Sequence, residues 1–482
     1  MTPQATTFAR RTAHLFAAWL AVVAVIAGCG GGAGVIGSGG TGSPLGMAVG
    51  TVNGFGSVIV DGQSFDDRGA AVVAEVAPGV DANAEVRLGD RVSVEYETAG
   101  VARTVRVEAA LAASIDAVTA PGRFVVLGQS VAVNADGALG PITQFGGGYA
   151  QAADLRAGDA VEVHGLLVHQ GADVQIQATR VDKLAAAPAY LRVSGIVSGL
   201  RTGAVSGFDL GLLTVDTTVA TVLPAGVALA NGQAVTVLAL ASNVTSRPTS
   251  AWGMLAAQVR IGQLGADTLE DSISGSVAHL DSAARTFTLG SLRVDYAAAT
   301  VAPAGWSPAA GQYVLVRGTA DASGRMVASS VTLRDAGSES EAELHGTIVG
   351  YDAATQRFSV RDVAVDGATA TLEGCPAGGL ADGLYVEIEG AMSSSGVVAK
   401  KVHCESEPDD ASVEREGVAG SVDTVARTFS LAVEHGAAVP VRWTDTTYFG
   451  GVTPGTLAGR KVQVEGSFVD GVLVAQKVKG DD

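Results

Sequence analysis

A glycine-valine motif that recurs six times constrains the fold of this 482-residue chain more than any other feature. In each copy a glycine is followed, after two residues, by alternating apolar side chains, as in Gly383-Leu384-Tyr385-Val386-Glu387-Ile388. The motif begins at Gly89, Gly158, Gly232, Gly311, Gly383 and Gly459. A spacing of roughly 70 to 80 residues is that of a small domain and exceeds the rung of a solenoid.

Two further elements repeat in the same register. An alanine three residues before a valine ends each copy, at Ala102, Ala178, Ala256, Ala328, Ala399 and Ala475. Near the start of the last three copies an aspartate precedes a phenylalanine by six residues, at Asp281, Asp352 and Asp423. Alternating apolar residues predict strands with one buried face. Each aspartate is expected to bond turn backbone, and each phenylalanine to begin the next buried face.

These elements predict an all-β chain built as a tandem array of six small five-stranded OB-like barrels, with small β-sandwich modules as the alternative. The six units, called here the first to sixth copies, are predicted at residues 49–109, 110–184, 190–262, 270–335, 341–405 and 413–482. The stretch Ala152–Leu155 in the second copy is expected to hold one helical turn. We expect contacts mostly within copies, with only small interfaces between neighbours.

The N-terminus has the features of an export signal. Arg10 and Arg11 precede an apolar run from Leu15 to Ala27, which is too short to span a bilayer. The following Ile26-Ala27-Gly28-Cys29 resembles the lipobox of bacterial lipoproteins. This resemblance implies that residues 1–28 are a signal peptide and that Cys29 carries the lipid.

A glycine-rich segment at residues 29–48 follows and is predicted to be a flexible tether. Gly30, rather than an aspartate, follows the lipidated cysteine. By resemblance to lipoprotein sorting rules, this favours an exported protein that is lipid-anchored to the outer membrane, on its periplasmic side or at the cell surface. The membrane is thus one predicted partner.

The ordered motifs, behind a lipobox and a glycine tether, resemble the bacterial domain of unknown function 5666. The resemblance is strongest in the second, fourth, fifth and sixth copies. In the third copy Leu238-Ala239-Leu240 replaces the closing glycine, and Asn243 to Ser250 look inserted. The family implies exported β-barrel modules of bacterial envelopes. It implies no activity, so it assigns no site residue.

Catalytic chemistry needs convergent polar groups, and the sequence offers no familiar arrangement of them. The histidines of the repeat region occupy unlike positions in different copies, at His164, His169, His279, His345, His403 and His435. We therefore predict a protein that is not an enzyme and has no cofactor and no metal site. A nucleic-acid partner is excluded as well, because such barrels need a positive groove and stacking aromatics. The formal net charge is −18, and aromatic residues make up 5%.

Cys375 and Cys404 are the remaining cysteines, and both lie in the fifth copy. We predict a disulfide between them, because an antiparallel barrel brings the last strand back beside the crossing, and an oxidising compartment favours the bond. The alternatives are two free thiols, or a metal site that also uses His403. Adjacent strand residues face opposite sides, which disfavours convergence of His403 and Cys404 on one ion.

Two functions from different classes fit these observations. The favoured one is a non-enzymatic envelope protein, an extended tethered array with a scaffold or interaction role. The other is a carbohydrate- or peptide-binding lipoprotein with its site on one divergent copy. In the sixth copy Trp443, Tyr448 and Phe449 are the candidate ligand-binding residues, because loop aromatics can stack on a sugar. The competing interpretation is that they plug the open end of their barrel. An envelope protein or a glycan is accordingly the expected partner.

Overall fold

The structure, a computed structural model, describes residues 45–67, 69–98, 100–170, 173–203, 205–246, 252–262, 270–321, 324–334, 341–404, 413–433, 438–469 and 472–480. Within these ranges the protein is all-β, as predicted. Helical structure there is confined to 3-10 turns at Gly137–Leu139, Ala152–Asp154, Ala241–Asn243 and Pro454–Thr456. The second of these turns lies where the sequence predicted it. No helix in the described ranges is long and apolar enough to cross a membrane.

The strands of the first three copies follow in chain order. The first copy contains β1 (Gly46–Phe55), β2 (Val58–Val60), β3 (Gln63–Phe65), β4 (Ala71–Ala77), β5 (Val80–Asn83), β6 (Arg91–Thr98) and β7 (Val101–Val107). The second contains β8 (Leu111–Ala120), β9 (Arg123–Val126), β10 (Gln129–Val133), β11 (Gln144–Gly146), β12 (Ala160–Gln170) and β13 (Asp173–Lys183). The third contains β14 (Tyr190–Ile196), β15 (Ser198–Arg201), β16 (Gly207–Leu210), β17 (Leu213–Asp216), β18 (Thr221–Leu223), β19 (Ala234–Leu240), β20 (Val244–Ser246), β21 (Trp252–Leu255) and β22 (Gln258–Ile261).

The strands of the last three copies follow in the same way. The fourth contains β23 (Asp271–Asp281), β24 (Thr286–Leu289), β25 (Leu292–Asp295), β26 (Thr300–Ala302), β27 (Tyr313–Ala320) and β28 (Met326–Leu333). The fifth contains β29 (Glu341–Asp352), β30 (Arg357–Val360), β31 (Val363–Asp366), β32 (Thr371–Glu373), β33 (Tyr385–Ser393) and β34 (Gly396–Cys404). The sixth contains β35 (Val413–Asp423), β36 (Thr428–Val433), β37 (Val439–Gly450), β38 (Lys461–Val469) and β39 (Val472–Gly480).

The sixth copy closes into a barrel in the strand order β35-β36-β37-β39-β38. Neighbouring strands are antiparallel, apart from the parallel pair β37 and β39. The same order of pairings recurs in the fourth copy, where β25 and β28 are the parallel pair. It recurs again in the fifth copy, with β31 and β34 parallel, and in the second, with β10 and β13 parallel.

The first glycine of every motif copy adopts a positive φ, between 77° at Gly459 and 88° at Gly89. Glycine carries no Cβ penalty in this region. In the fifth copy the Gly383 N–H donates to the Ile348 carbonyl, and the Ile348 N–H donates to the Leu384 carbonyl. The same pair of bonds forms at the matching residues of the other five copies. The motif therefore fixes where the chain enters the strand that pairs with the opening strand of its copy.

The closing glycine of the motif lies at a shift in strand register. Such shifts occur at Gly165, Gly318, Gly390 and Gly466. A Cβ on Gly390 would overlap the Val398 carbonyl oxygen of the facing strand. Its register partner is Ala399, the alanine of the second motif. Two small residues thus let the strands approach closely and bend, which a small barrel requires.

Pairings also cross the predicted copy boundaries. β1 pairs in parallel with β23 of the fourth copy and with β29 of the fifth, while β14 of the third pairs with β8 of the second. One buried apolar cluster contains residues of both the first and the fifth copies, including Phe55 and Leu344. The first copy therefore contacts copies that are not its neighbours in sequence, which the expectation of interfaces between neighbours did not include. β1 also begins at Gly46, inside the predicted tether at 29–48.

Candidate functional site

Three carboxylates of the first copy, Asp61, Glu75 and Asp90, are buried where that copy meets three other copies. We call these three residues the acidic hub. Buried charges are stable only when they are paired or hydrogen-bonded, so the partners of each carboxylate define a joint between copies.

Asp61 connects the first copy to the fourth. It follows β2, and its Oδ2 accepts a 2.7 Å hydrogen bond from the Thr51 N–H within its own copy. The Ser274 hydroxyl on β23 donates to the same oxygen, and the Tyr313 hydroxyl on β27 donates to Oδ1 at 2.9 Å. Burial and the neighbouring Asp61 charge raise the pKa of Tyr313, so that its hydroxyl remains a donor.

Glu75 on β4 connects the first copy to the third. Its Oε1 accepts hydrogen bonds from Gln258 Nε2 at 2.8 Å and from Arg260 Nη2 at 3.0 Å. Arg192 Nη2 donates to the Glu75 carbonyl oxygen at 3.1 Å and lies 3.5 Å from the carboxylate. Burial acts to raise the pKa of Glu75, but the Gln258 hydrogen bond and the Arg260 charge outweigh it and lower the pKa. Glu75 is therefore ionised at neutral pH.

Asp90 connects the first copy to the second. Within its turn, Oδ2 accepts a 2.7 Å hydrogen bond from the Arg87 N–H. Across the joint, Oδ1 lies 3.4 Å from His164 Nε2 and 3.7 Å from Arg180 Nε. Burial raises the pKa of Asp90, although His164 and Arg180 oppose that effect. Arg180 also donates to the Leu88 carbonyl at 3.0 Å, so it contacts the first copy twice.

His164 is 1% exposed and has protein partners at both ring nitrogens. Nδ1 lies 3.3 Å from the Arg91 backbone nitrogen, whose N–H points at it. Nε2 faces Glu162 at 3.3 Å and Asp90. A general base needs a nitrogen that can reach substrate. The geometry therefore makes His164 a connector between copies.

A cleft of about 490 Å³ lies at this same joint. Its charged lining residues are Glu85, Arg87, Asp90 and Glu162, accompanied by Asn83 and apolar side chains. The lining contains no hydroxyl or thiol nucleophile. This cleft can therefore bind a ligand through ion pairs and hydrogen bonds. No local sequence pattern indicates this cleft, because its lining residues come from two copies.

The fifth copy meets the first through apolar and cationic contacts. The Arg361 guanidinium lies 4.7 Å from the centre of the Phe55 ring, a cation–π arrangement. Burial raises the pKa of Asp67, and the nearby Arg361 charge opposes that rise. The first copy therefore contacts the second, third, fourth and fifth copies.

Of the residues predicted from sequence, Cys29 lies outside the described residues. A disulfide joins Cys375 to Cys404, with an S–S distance of 2.07 Å and a Cα–Cα distance of 4.7 Å. Both sulfurs are thereby withdrawn from the alternative metal site. His403 points away from the buried Cys404 side chain and lies 3.9 Å from Glu373 on the outer face.

Trp443, Tyr448 and Phe449 do not share one open surface. Trp443 is 6% exposed, and its ring packs 6.0 Å from Phe429 and 6.1 Å from Phe449. Its ring is therefore buried and packed against neighbouring aromatics. This packing favours the barrel-plug interpretation over a sugar platform at Trp443.

Comparison with known proteins identifies one family. The family model described as a domain of unknown function, DUF5666, matches residues 113–182, 274–332, 338–403 and 416–479. These stretches fall on the second, fourth, fifth and sixth copies. None of the curated proteins matches the chain. Four chains of solved structures match it.

One of those solved structures is described as Drosophila Unr CSD456. The match has 13% sequence identity and a TM-score of 0.14, and it covers 43% of this chain and 96% of that one.

Proposed function

Because the chain belongs to the family of the domain of unknown function DUF5666, which it repeats in tandem, we propose that it is a non-enzymatic scaffold protein of the bacterial cell envelope. In this proposal the six copies are small OB-like barrels, and the second to fifth are gathered around the first. The closed barrel of the sixth copy and the recurrence of its pairing order support that architecture.

The observation that carries the scaffold proposal is the acidic hub. Each of its carboxylates is held by a different copy, and breaking a buried ion pair such as that of Glu75 with Arg192 costs about 3 to 5 kcal/mol. Copies held together in this way present one continuous surface to a partner. The acidic net charge of −18 would repel nucleic acid, so an envelope protein or a glycan is the expected partner.

Anchoring at the outer membrane is the second part of the proposal. It rests on the apolar run before Cys29 and on the glycine-rich segment after it. Stable anchoring takes more than one acyl chain, as a lipidated N-terminal cysteine supplies. Cys29→Ser should release soluble or unprocessed protein in membrane fractionation, while Cys375→Ser should leave the protein in the membrane. A fully anchored, normally processed Cys29→Ser protein would defeat this part.

Complementation tests the scaffold role itself. Cells lacking the chain would receive the full chain, the Cys29→Ser variant, or residues 1–48 joined to the sixth copy alone. A scaffold needs both the anchor and the assembled copies, so only the full chain should restore resistance of the envelope to detergent. Restoration by the single anchored copy would favour the ligand-binding alternative instead.

A further inference from the structure

The outer face of the fifth copy brings together three side chains with metal-binding atoms. Glu343 and His345 occupy alternate positions on β29, so they project from the same face. Glu387 on β33 lies directly opposite His345 in the antiparallel register. One ligand atom from each of the three side chains lies within 4.8 Å of the other two.

We propose that Glu343, His345 and Glu387 form a binding site for a divalent transition-metal ion, with zinc as the best fit. Zinc is bound by histidine nitrogen and carboxylate oxygen at about 2.0 to 2.2 Å, and three protein ligands leave a fourth position for water. An imidazole favours zinc, copper or nickel. Calcium instead takes about six to eight oxygen ligands, which this set does not supply. The site goes beyond the scaffold function.

The geometry needs little adjustment to hold an ion. His345 Nε2 already lies 2.9 Å from Glu343 Oε1. At zinc bond lengths, tetrahedral ligand atoms stand about 3.4 Å apart, so no separation in the trio has to shrink by more than roughly 1.4 Å. Rotation of a glutamate side chain covers that distance without a backbone shift. The Glu343 side chain is 42% exposed and that of His345 is 23% exposed, so solvent reaches the site.

The first copy borders the site and limits the movement of its imidazole. A Cβ added to Gly56, in the turn after β1, would lie 2.6 Å from His345 Cδ2. Gly54 on β1 is the register partner of Glu343 in the parallel β1–β29 pairing. Two of the three ligand residues therefore lie on the joint between the first and fifth copies, and a bound ion would stabilise that joint.

The same strand supplies a matched control. Glu389 lies two residues beyond Glu387 on the same face, but it forms an ion pair with Lys401. Its substitution therefore changes the charge of the face without removing a proposed ligand.

Metal titration tests the site on the untagged full-length protein, solubilised in detergent and treated with a chelator. Calorimetry with zinc chloride should detect a tight site. His345→Ala and Glu387→Gln should each weaken zinc binding at this site at least about 10-fold. Glu389→Gln should bind zinc like the wild type. Cobalt(II) should give visible absorption bands with the wild type that both ligand variants lose.

Three results would overturn the proposal. They are the absence of a tight zinc site in the wild type, unchanged zinc affinity in both ligand variants, and displacement of zinc by equimolar calcium. Glu387→Gln keeps the test decisive if His345→Ala does not fold, because Glu387 is on β33 rather than on the strand that pairs with the first copy. Circular dichroism of each variant checks its folding.

Discussion

Glu75 is the residue of the acidic hub with the most partners from one other copy. Glu75→Ala would leave Arg192, whose pKa burial already lowers, without its carboxylate. We expect the free energy of unfolding to fall by about 3 to 5 kcal/mol, measured by urea denaturation. The exposed Glu85, 3.6 Å from Arg87, is the control, and Glu85→Ala should cost less than about 1 kcal/mol. Equal losses in the two variants would contradict the role of the hub.

His169 and His279 make a pH-dependent contact between the second and fourth copies. Their ring centres are 4.4 Å apart, and burial together with the His279 charge lowers the pKa of His169. The unfolded chain therefore takes up a proton at higher pH than the folded one. This contribution to stability is complete above about pH 6.5 and is lost as the pH falls. Thermal melts from about pH 7.5 to about pH 5 should show a steeper loss in the wild type than in His169→Gln. Parallel curves would exclude the effect.

The bond between Cys375 and Cys404 closes a 29-residue segment of the fifth copy. In the loop-entropy model such a cross-link contributes roughly 3 to 4 kcal/mol. Cys375→Ser should therefore destabilise the fifth copy by up to that amount in urea denaturation. Mass spectrometry after non-reducing digestion should recover the linked peptides from the protein. Free thiols at both positions would contradict the pairing.

At the scale of the strands, the closing glycine of the motif determines how closely the fourth and fifth strands of a barrel approach each other. In the sixth copy a Cβ on Gly466 would overlap the Val474 carbonyl oxygen. Gly466→Ala should destabilise this copy by about 1 to 3 kcal/mol, measured by hydrogen exchange of β38 and β39. Gly455→Ala is the control, since a Cβ there meets no atom within 4 Å. Similar protection in both variants would refute this account.

The strand elements were predictable because their causes are local in sequence. The turn aspartates behave as expected, and the Asp423 Oδ1 accepts from the backbone N–H groups of Val425 and Ala426. Phe429, six residues after Asp423, is buried as predicted. Six residues suffice to specify such a turn and the start of the next strand.

The joints between copies were not predictable from these local patterns. Tyr313 and Asp61 are 252 residues apart in sequence, and nothing near either of them indicates the other. The proposed metal ligands could not be predicted from the sequence for the same reason. His345 and Glu387 face each other only because of the register of β29 and β33. Side chains alternate between the two faces of a strand in the same way whether the outer face meets solvent or another copy. This alternation therefore does not indicate which outer faces form joints.

For the molecule as a whole, the first copy should decide whether the other copies stay together. Deleting residues 45–109 removes the acidic hub, so limited proteolysis should then separate the second and third copies from the fourth and fifth. The control is deletion of residues 413–482, because the sixth copy has an apolar core of its own. That deletion should leave the proteolytic pattern of the remainder unchanged. The opposite outcome would show that the first copy is not the one that keeps the other copies together.

The parallel pairing of β1 with strands of the fourth and fifth copies has a consequence for the order of events during synthesis. The Met47 N–H donates to Asp271 Oδ1, a residue 224 positions later in the chain. Because synthesis proceeds from the N-terminus, the first copy is finished long before these partners exist. Its acidic groups remain hydrated in that interval, and water is a good solvent for them. A ribosome that stops before the fifth copy would thus release a chain in which Phe55 is exposed, because the residues of the fifth copy that pack against it are missing.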